Sequence, residues 1–211
     1  VSPGDTTTST ITAVTTPVIT GADGLPRCWW AESGNDELRR YHDEEWGVPV
    51  HDDRLLFEHI CLEGFQAGLS WSTVLNKRPA FRRHFRNFEI ARVAGFGTRD
   101  IERMMSDPAI IRNRAKIEAA ISNAGITRDL LRTGEGALND LIWSFAPSPR
   151  RRRLRSRAEV PAVTSETVAL SKELRARGFR FVGPTTMYAL MQSAGLVDDH
   201  IAGCHRATPA A

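Results

Sequence analysis

The chain has 211 residues, a length that suits one domain of ordinary size with a substantial core. Apolar residues make up 41% and charged residues 25%, globular values that exclude a disordered or fibrous class, and no apolar run approaches the ~20 residues needed to span a bilayer. Formal charge is only +3, yet nearly all of the 28 basic residues are arginine, the side chain suited to bidentate phosphate contacts. An arginine-rich genome composition produces the same bias. Cys28, Cys61 and Cys204 are odd in number and lack a disulfide-like spacing, which favours metal or core thiols in a reducing compartment such as the cytoplasm.

Residues 1–24 are rich in Thr, Pro and Gly and carry no lysine or arginine, so they lack the basic start and continuous apolar region of a signal peptide. They read as a disordered tail, with alternating Thr/Val/Ile that also suits a stray strand. A single domain is expected over residues 25–211. It opens on Arg27-Cys28-Trp29-Trp30 and a helix from Asn35 to Trp46, capped by Asn35 or Asp36. That helix carries Tyr41-His42-Asp43-Glu44-Glu45-Trp46-Gly47-Val48-Pro49, dense in groups that do chemistry.

A second helix, Asp52 to Ala67, shows a broad apolar stripe through Leu55, Leu56, Phe57, Ile60, Cys61 and Leu62. Cys61 belongs to that stripe, and His51 and His59 have no partner at ligand spacing, so all three read as structural. The helix runs out in Leu62-Glu63-Gly64-Phe65-Gln66-Ala67-Gly68-Leu69-Ser70-Trp71. A carboxylate set among leucine, glycines and aromatics is either a helix-end cap or one wall of a flat pocket. In a pocket, burial would raise the Glu63 pKa, and Trp71 would stack on a base.

The middle reads as scaffold. Phe81, Phe85 and Phe88 recur at helical spacing between Arg78 and Phe88, and helices follow over Thr98–Met105, Pro108–Ala124 and Gly134–Phe145. Arg112, Asn113, Arg114 and Lys116 either touch phosphate or form a solvated face. Pro147 to Arg157 is too charged to fold alone, so residues 147–160 are expected to be a flexible basic insertion, either a DNA-binding arm or an inert linker. Helix resumes over Val163–Arg177, capped by Thr164 or Ser165.

The last stretch turns at Val182-Gly183-Pro184 into an amphipathic helix, leaving backbone N–H groups free as an anion seat. Val182, Gly183, Thr185 and Thr186 are the candidate phosphate-binding residues. His200 and Cys204 are four apart and on a helix would face one metal ion; with Cys28 and His42 they complete the Cys₂His₂ set that zinc takes in closed, structural sites. Such a zinc would tie the N-terminal part to the C-terminal part.

This stretch resembles the helix–hairpin–helix of the DNA base-excision glycosylases, whose hairpin grips phosphate and whose following V-D-x-H matches Val197-Asp198-Asp199-His200. Phe181 stands where the pattern has its first glycine. YHDEEWGVP and CLEGFQAGLSW, with Ile110–Arg114, Trp143-Ser144-Phe145 and Gly178–Gly183, closely resemble the 3-methyladenine DNA glycosylase I family, a zinc-containing branch of that superfamily. The likeness runs from Arg27 to Cys204. It implies an all-α helix–hairpin–helix fold and one structural Zn²⁺ on Cys28, His42, His200 and Cys204. It also implies a base pocket of Tyr41, Trp46, Glu63 and Trp71, with Glu63 hydrogen-bonding the flipped base. The partner implied is double-stranded DNA bearing alkylated bases, met by a monomer with no membrane association. The reaction implied is hydrolysis of the N-glycosidic bond of 3-methyladenine, and of 3-methylguanine as a further candidate. Thr185 replaces the lysine of bifunctional relatives, so no lyase step is expected. Asp198 stands at the superfamily's catalytic aspartate, and Glu63 and Asp198 are the two candidate catalytic carboxylates. Two rivals remain: a zinc-stabilised DNA-binding protein without catalysis, and a hydrolase with an open metal position.

Overall fold

The computed structural model describes residues 17–207; the expectation for residues 1–16 lies outside them. Two short strands, β1 (Val18–Thr20) and β2 (Pro26–Cys28), precede α1 (Asp36–Glu44), α2 (Asp53–Gln66), α3 (Trp71–His84), α4 (Ile90–Ala94), α5 (Thr98–Ser106), α6 (Arg114–Leu131), α7 (Ala137–Trp143), α8 (Ser165–Ala176) and α9 (Pro184–Ser193). The described architecture is therefore mostly helical rather than purely so. The strands pair antiparallel, Val18 with Cys28 and Thr20 with Pro26, so residues 18–20 belong to the fold instead of the expected tail.

α2 is the element around which the others are arranged. Asp52 caps it by accepting from the Leu55 N–H at 2.8 Å, and from Leu56 to Phe65 every residue except His59 is buried. A helix buried all round needs neighbours on every side, and α3, α6, α7 and α9 supply them. Its last carbonyls, left without helical donors, are taken by the Lys116 ammonium, which donates to Phe65 O at 2.8 Å and Ala67 O at 2.6 Å. Lys116 is thus an internal strut and not part of a phosphate-facing surface; Asn113 beside it caps α6.

Three corrections concern local structure. The Phe81–Phe85–Phe88 spacing does not continue one helix: α3 stops at His84, and Arg86, Asn87 and Phe88 take positive φ of 53°, 53° and 56°. That left-handed turn, rare for residues with a Cβ, lays Phe88 flat against Phe85 with centroids 5.3 Å apart. Residues 197–204 form irregular chain and a turn rather than a helix, so His200 and Cys204 do not share the helix face expected of them.

The third correction is the basic insertion, which is not a free arm. Leu154 is 7% exposed and its carbonyl accepts from Ala202 N–H at 2.8 Å. Arg150 reaches Asp199 at 3.0 Å, Arg153 reaches Asp198 at 2.7 Å, and Arg152 reaches Glu159 at 2.9 Å. A run of like charges packs when carboxylates on neighbouring segments accept it.

α8, the turn over residues 177–183 and α9 are two helices joined by a tight turn, the stretch expected to be the helix–hairpin–helix. Phe181, standing at the expected glycine, adopts φ +58°, the left-handed conformation that glycine enters without steric cost. The Asn123 side chain holds it in place, accepting from Arg180 N–H at 2.9 Å and donating to Arg180 O at 3.0 Å, while Ser171 Oγ donates to Val182 O. After α9, Gly195 passes so close to Val48 and Pro49 that a Cβ would sit 2.5 Å from backbone atoms. This locks the loop after α1 against the end of α9. Replacing Lys116 by methionine would leave two α2 carbonyls unpaired, and urea denaturation should show a loss of about 1–3 kcal/mol.

Candidate active site

A cleft of about 580 Å³ opens between α1, the α2–α3 junction, α9 and the C-terminal turns. Tyr41, Trp46, Glu63 and Trp71, the four residues expected to form a base pocket, all line it, joined by Trp30, Gln192 and Asp199. The Tyr41 and Trp71 rings lie 5.3 Å apart, and Trp30 meets Trp46 edge-on at 4.9 Å. The walls are thus largely aromatic, a lining that suits a planar ring.

Two buried polar atoms on residues that line this cleft are unpaired. Glu63 is 3% exposed and its Oε2 has no hydrogen-bond partner; the Trp71 Nε1–H is equally buried and unpaired. Buried polar atoms are nearly always satisfied, so orphans on two residues that line one cavity are candidates to bond a ligand. Burial pushes the Glu63 carboxyl up to about 8, with the Ser193 hydroxyl offsetting part of the shift. Burial, then the neighbouring Glu63, holds the Tyr41 phenol well above its ordinary value, so it remains a neutral hydroxyl.

Next to the cleft, Cys28, His42 and Cys204 bring their donor atoms within 4.8 Å of one another, a group able to hold a metal ion. Backbone N–H groups point at the sulfurs, Ile201 at Cys28 (3.4 Å) and Arg206 at Cys204 (3.5 Å), as suits thiolate ligands. The Cys204 thiol is held below its ordinary value by Cys28 and then by His42, while Cys28 is pushed up by Cys204. His200 adjoins the trio, its ring 5.0 Å from that of His42, and its buried Nε2 has no partner.

Both histidines are aimed from behind. Asp43 takes His42 Nδ1 at 2.7 Å and Asp198 takes His200 Nδ1 at 2.8 Å; each carboxylate is gripped by an arginine, Arg27 and Arg153 respectively. A carboxylate on Nδ1 fixes the ring so that Nε2 is free for a metal. A donor set of two thiols and two imidazoles with one orphaned nitrogen fits a tetrahedral cation.

Asp198 therefore faces the histidine and Arg153 and is not among the cleft-lining residues. Asp199 lines the cleft instead, accepting from the Tyr188 hydroxyl, Gln192 Nε2 (2.9 Å) and Arg150 (3.0 Å). The hairpin lies apart from the cleft's lining. Val182 is buried with its carbonyl occupied, while Thr185 is exposed at the first turn of α9. Residues missed by sequence reasoning are Asp43, Asp199, Ser193 and Leu69. Asp43 and Asp199 each abut a residue already singled out. Leu69 follows Gly68, whose φ is +83°, and is 44% exposed, next in sequence to Ser70 and near Trp71, which line the cleft.

Comparison with known proteins agrees with this geometry. The family described as methyladenine glycosylase matches residues 30–207. DNA-3-methyladenine glycosylase 1 of Escherichia coli is 46% identical over 181 residues, covering 85% of this chain and 96% of that protein. A crystal structure of a 3-methyladenine DNA glycosylase I superposes with a TM-score of 0.82 at 46% identity, covering 86% of this chain and all of the other. A Staphylococcus aureus 3-methyladenine DNA glycosylase I, whose structure addresses recognition of 3-methyladenine, gives 0.80 at 32% identity over 86% of this chain and 97% of the other. With a family model that matches most of the chain and relatives 46% identical over nearly their whole length, this chain belongs to the methyladenine glycosylase family.

Proposed function

We propose that the cleft receives 3-methyladenine flipped from alkylated double-stranded DNA and that the enzyme, acting as a monomer, hydrolyses its N-glycosidic bond. The observation that carries this reading is the pair of unpaired polar atoms, Glu63 Oε2 and Trp71 Nε1, inside an aromatic-walled cleft. Methylation at N3 makes the base cationic, so its glycosidic bond is weakened before the enzyme acts and the base departs neutral, taking the bonding electron pair. Water adds to the sugar carbon and loses a proton. Little acid catalysis at the base is required. The enzyme's task is extrusion and selection of an electron-poor ring, for which tryptophan faces and a carboxylate are suited.

Flipping costs a few kcal/mol, and less for damaged bases. Leu69, apolar, exposed and next to the cleft-lining Ser70, is placed to fill the gap left in the stack. Gly183, Thr185 and Thr186 offer first-turn groups of α9 to a phosphate, and Val182 contributes through its backbone alone. Thr185, at the position of the bifunctional lysine, leaves no Schiff-base nucleophile there. Zn²⁺ held by Cys28, His42, His200 and Cys204 would be structural, since four protein donors leave no open position. It would also brace the cleft, because Trp46 lies 4.7 Å from His200.

Cys28→Ser or His200→Ala should lower metal content and the melting temperature together, and Asp198→Ala should weaken metal retention about tenfold in chelator competition. Full zinc loading and unchanged melting in the ligand variants would remove the assignment. In single-turnover excision at saturating enzyme, Glu63→Gln should lose more than tenfold, about 1.4 kcal/mol in the barrier, while Asp198→Asn retains most activity. The opposite order would return the chemistry to Asp198.

The Glu63 shift sets a pH dependence. The free enzyme holds this carboxyl protonated below about 8, and a cationic base favours the anion. Excision kcat/KM should therefore rise with pH and level off near 8, a rise that Glu63→Gln abolishes. The same upward shift stabilises the fold at low pH, and that contribution is lost as pH climbs from the ordinary carboxyl range through about 8.

A further inference from the structure

The basic insertion carries one arginine that its own ion pairs do not use. Arg150, Arg152 and Arg153 are taken by Asp199, Glu159 and Asp198. Leu154 is buried between them, so the single 3₁₀ turn that follows, Arg157–Glu159, stands on an anchored segment. Arg157 lines the base cleft, as do Trp29 and Val160, and is itself exposed, which places it at the rim. Its guanidinium carbon lies over the Trp29 ring, 5.9 Å from the centroid. Among the described residues no carboxylate pairs with it. Glu159, two residues on, already accepts from Arg152 Nη1 at 2.9 Å and from the Arg155 N–H at 3.2 Å.

A fixed positive charge on the lining works against a cleft that receives a cationic base, unless the substrate brings an anion to meet it. A flipped nucleotide does so, with positive charge on its base and negative charge on the phosphates beside its sugar. The cleft is laid out in the same order. Glu63 is 3% exposed within it, and Arg157 stands exposed at its rim.

We infer that Arg157, seated on Trp29, is a phosphate clamp for the flipped nucleotide: its guanidinium bonds a phosphate next to the extruded base and so positions that base over Glu63. A guanidinium resting on a ring face uses none of its five N–H donors there, so the whole fork remains for phosphate oxygens. The aromatic face also attracts the cation and limits the side-chain freedom lost on binding. The clamp is separate from the phosphate contact proposed for the first turn of α9, because Gly183, Thr185 and Thr186 are not on the cleft lining.

This inference rests on the reading that the cleft receives a flipped nucleotide, and pairing a protein change with a DNA change separates the two. Binding of the full, zinc-loaded chain is measured to a duplex bearing one tetrahydrofuran residue in place of the damaged nucleotide. The measurement is repeated with a neutral methylphosphonate at each flanking position in turn. Arg157→Ala should weaken binding to the parent duplex about tenfold and flatten the slope of log K against log salt by about 0.9. One methylphosphonate should weaken wild-type binding about tenfold and Arg157→Ala binding by less than about twofold. Arg157→Lys should keep the salt slope but recover only part of the affinity, because an ammonium lacks the fork. Free 3-methyladenine brings no phosphate, so its binding should be the same in all three proteins. Losses that add at every position, an unchanged salt slope in Arg157→Ala, or an equal loss of free-base binding would overturn the clamp. A coupled phosphate together with no release of 3-methyladenine by the wild-type protein would sustain the clamp and overturn the proposed reaction.

Discussion

A carboxyl group buried without a counter-charge governs the cleft. Removing an ion from water costs several kcal/mol unless a partner compensates, and Glu63 Oε2 has none. Glu63 is nevertheless placed on the most buried helix of the fold, between aromatic walls. The free protein accommodates it by keeping it protonated. A neutral base entering the cleft gives that proton little reason to leave, whereas a cation does. Discrimination of this kind uses the unfavourable state of the empty pocket rather than an extra contact, and it sharpens as water is excluded.

The walls of that pocket depend on a second constraint, the meeting of residues 28 and 42 with residues 200 and 204. Trp46 packs against both histidine rings, at 6.2 Å from His42 and 4.7 Å from His200, so the orientation of the imidazoles is also the orientation of one cleft wall. The two Arg–Asp–His arrangements behind the rings draw on opposite parts of the chain, Arg27–Asp43–His42 from the start and Arg153–Asp198–His200 from the end. The basic insertion is thereby part of the support. This gives Asp198 a duty that does not require contact with the sugar.

Much of this was legible in residue order, because it rests on local rules. Asn35, Asp52 and Thr164 cap their helices by accepting from backbone N–H groups as their residue types suggest. Of the four cleft residues, Glu63 and Trp71 stood out as an acidic residue amid glycines and aromatics, while Tyr41 and Trp46 were implied by the family resemblance of their motif. What escaped was long-range. Nothing near Lys116 says that its ammonium closes a helix 49 residues away, and nothing in a run of arginines names the carboxylates that accept them. The helical reading of His200 and Cys204 fails because residues 198–201 are irregular; Cys204 meets Cys28 and His42, while His200 adjoins them through the His42 ring. Phe81, Phe85 and Phe88 kept their helical spacing, yet a left-handed turn met the same packing demand.

The seam between the start and end of the described chain has a further consequence. Trp29 N–H bonds Pro17 O, His205 N–H bonds Pro26 O, and a Cβ on Gly203 would touch Val18, so residues 17–28 and 200–207 lie side by side. Contacts across this seam span almost the whole sequence and are the slowest to be met by a searching chain, because loop-closure entropy rises with the length enclosed. Circular permutation, with residues 17 and 207 bridged and new ends opened in the exposed turn before α7, would make the same contacts local in sequence. The native placement of the thiols and imidazoles would be retained while the search was shortened, separating what the thiol–histidine cluster contributes by its contacts from what it contributes by closing the chain.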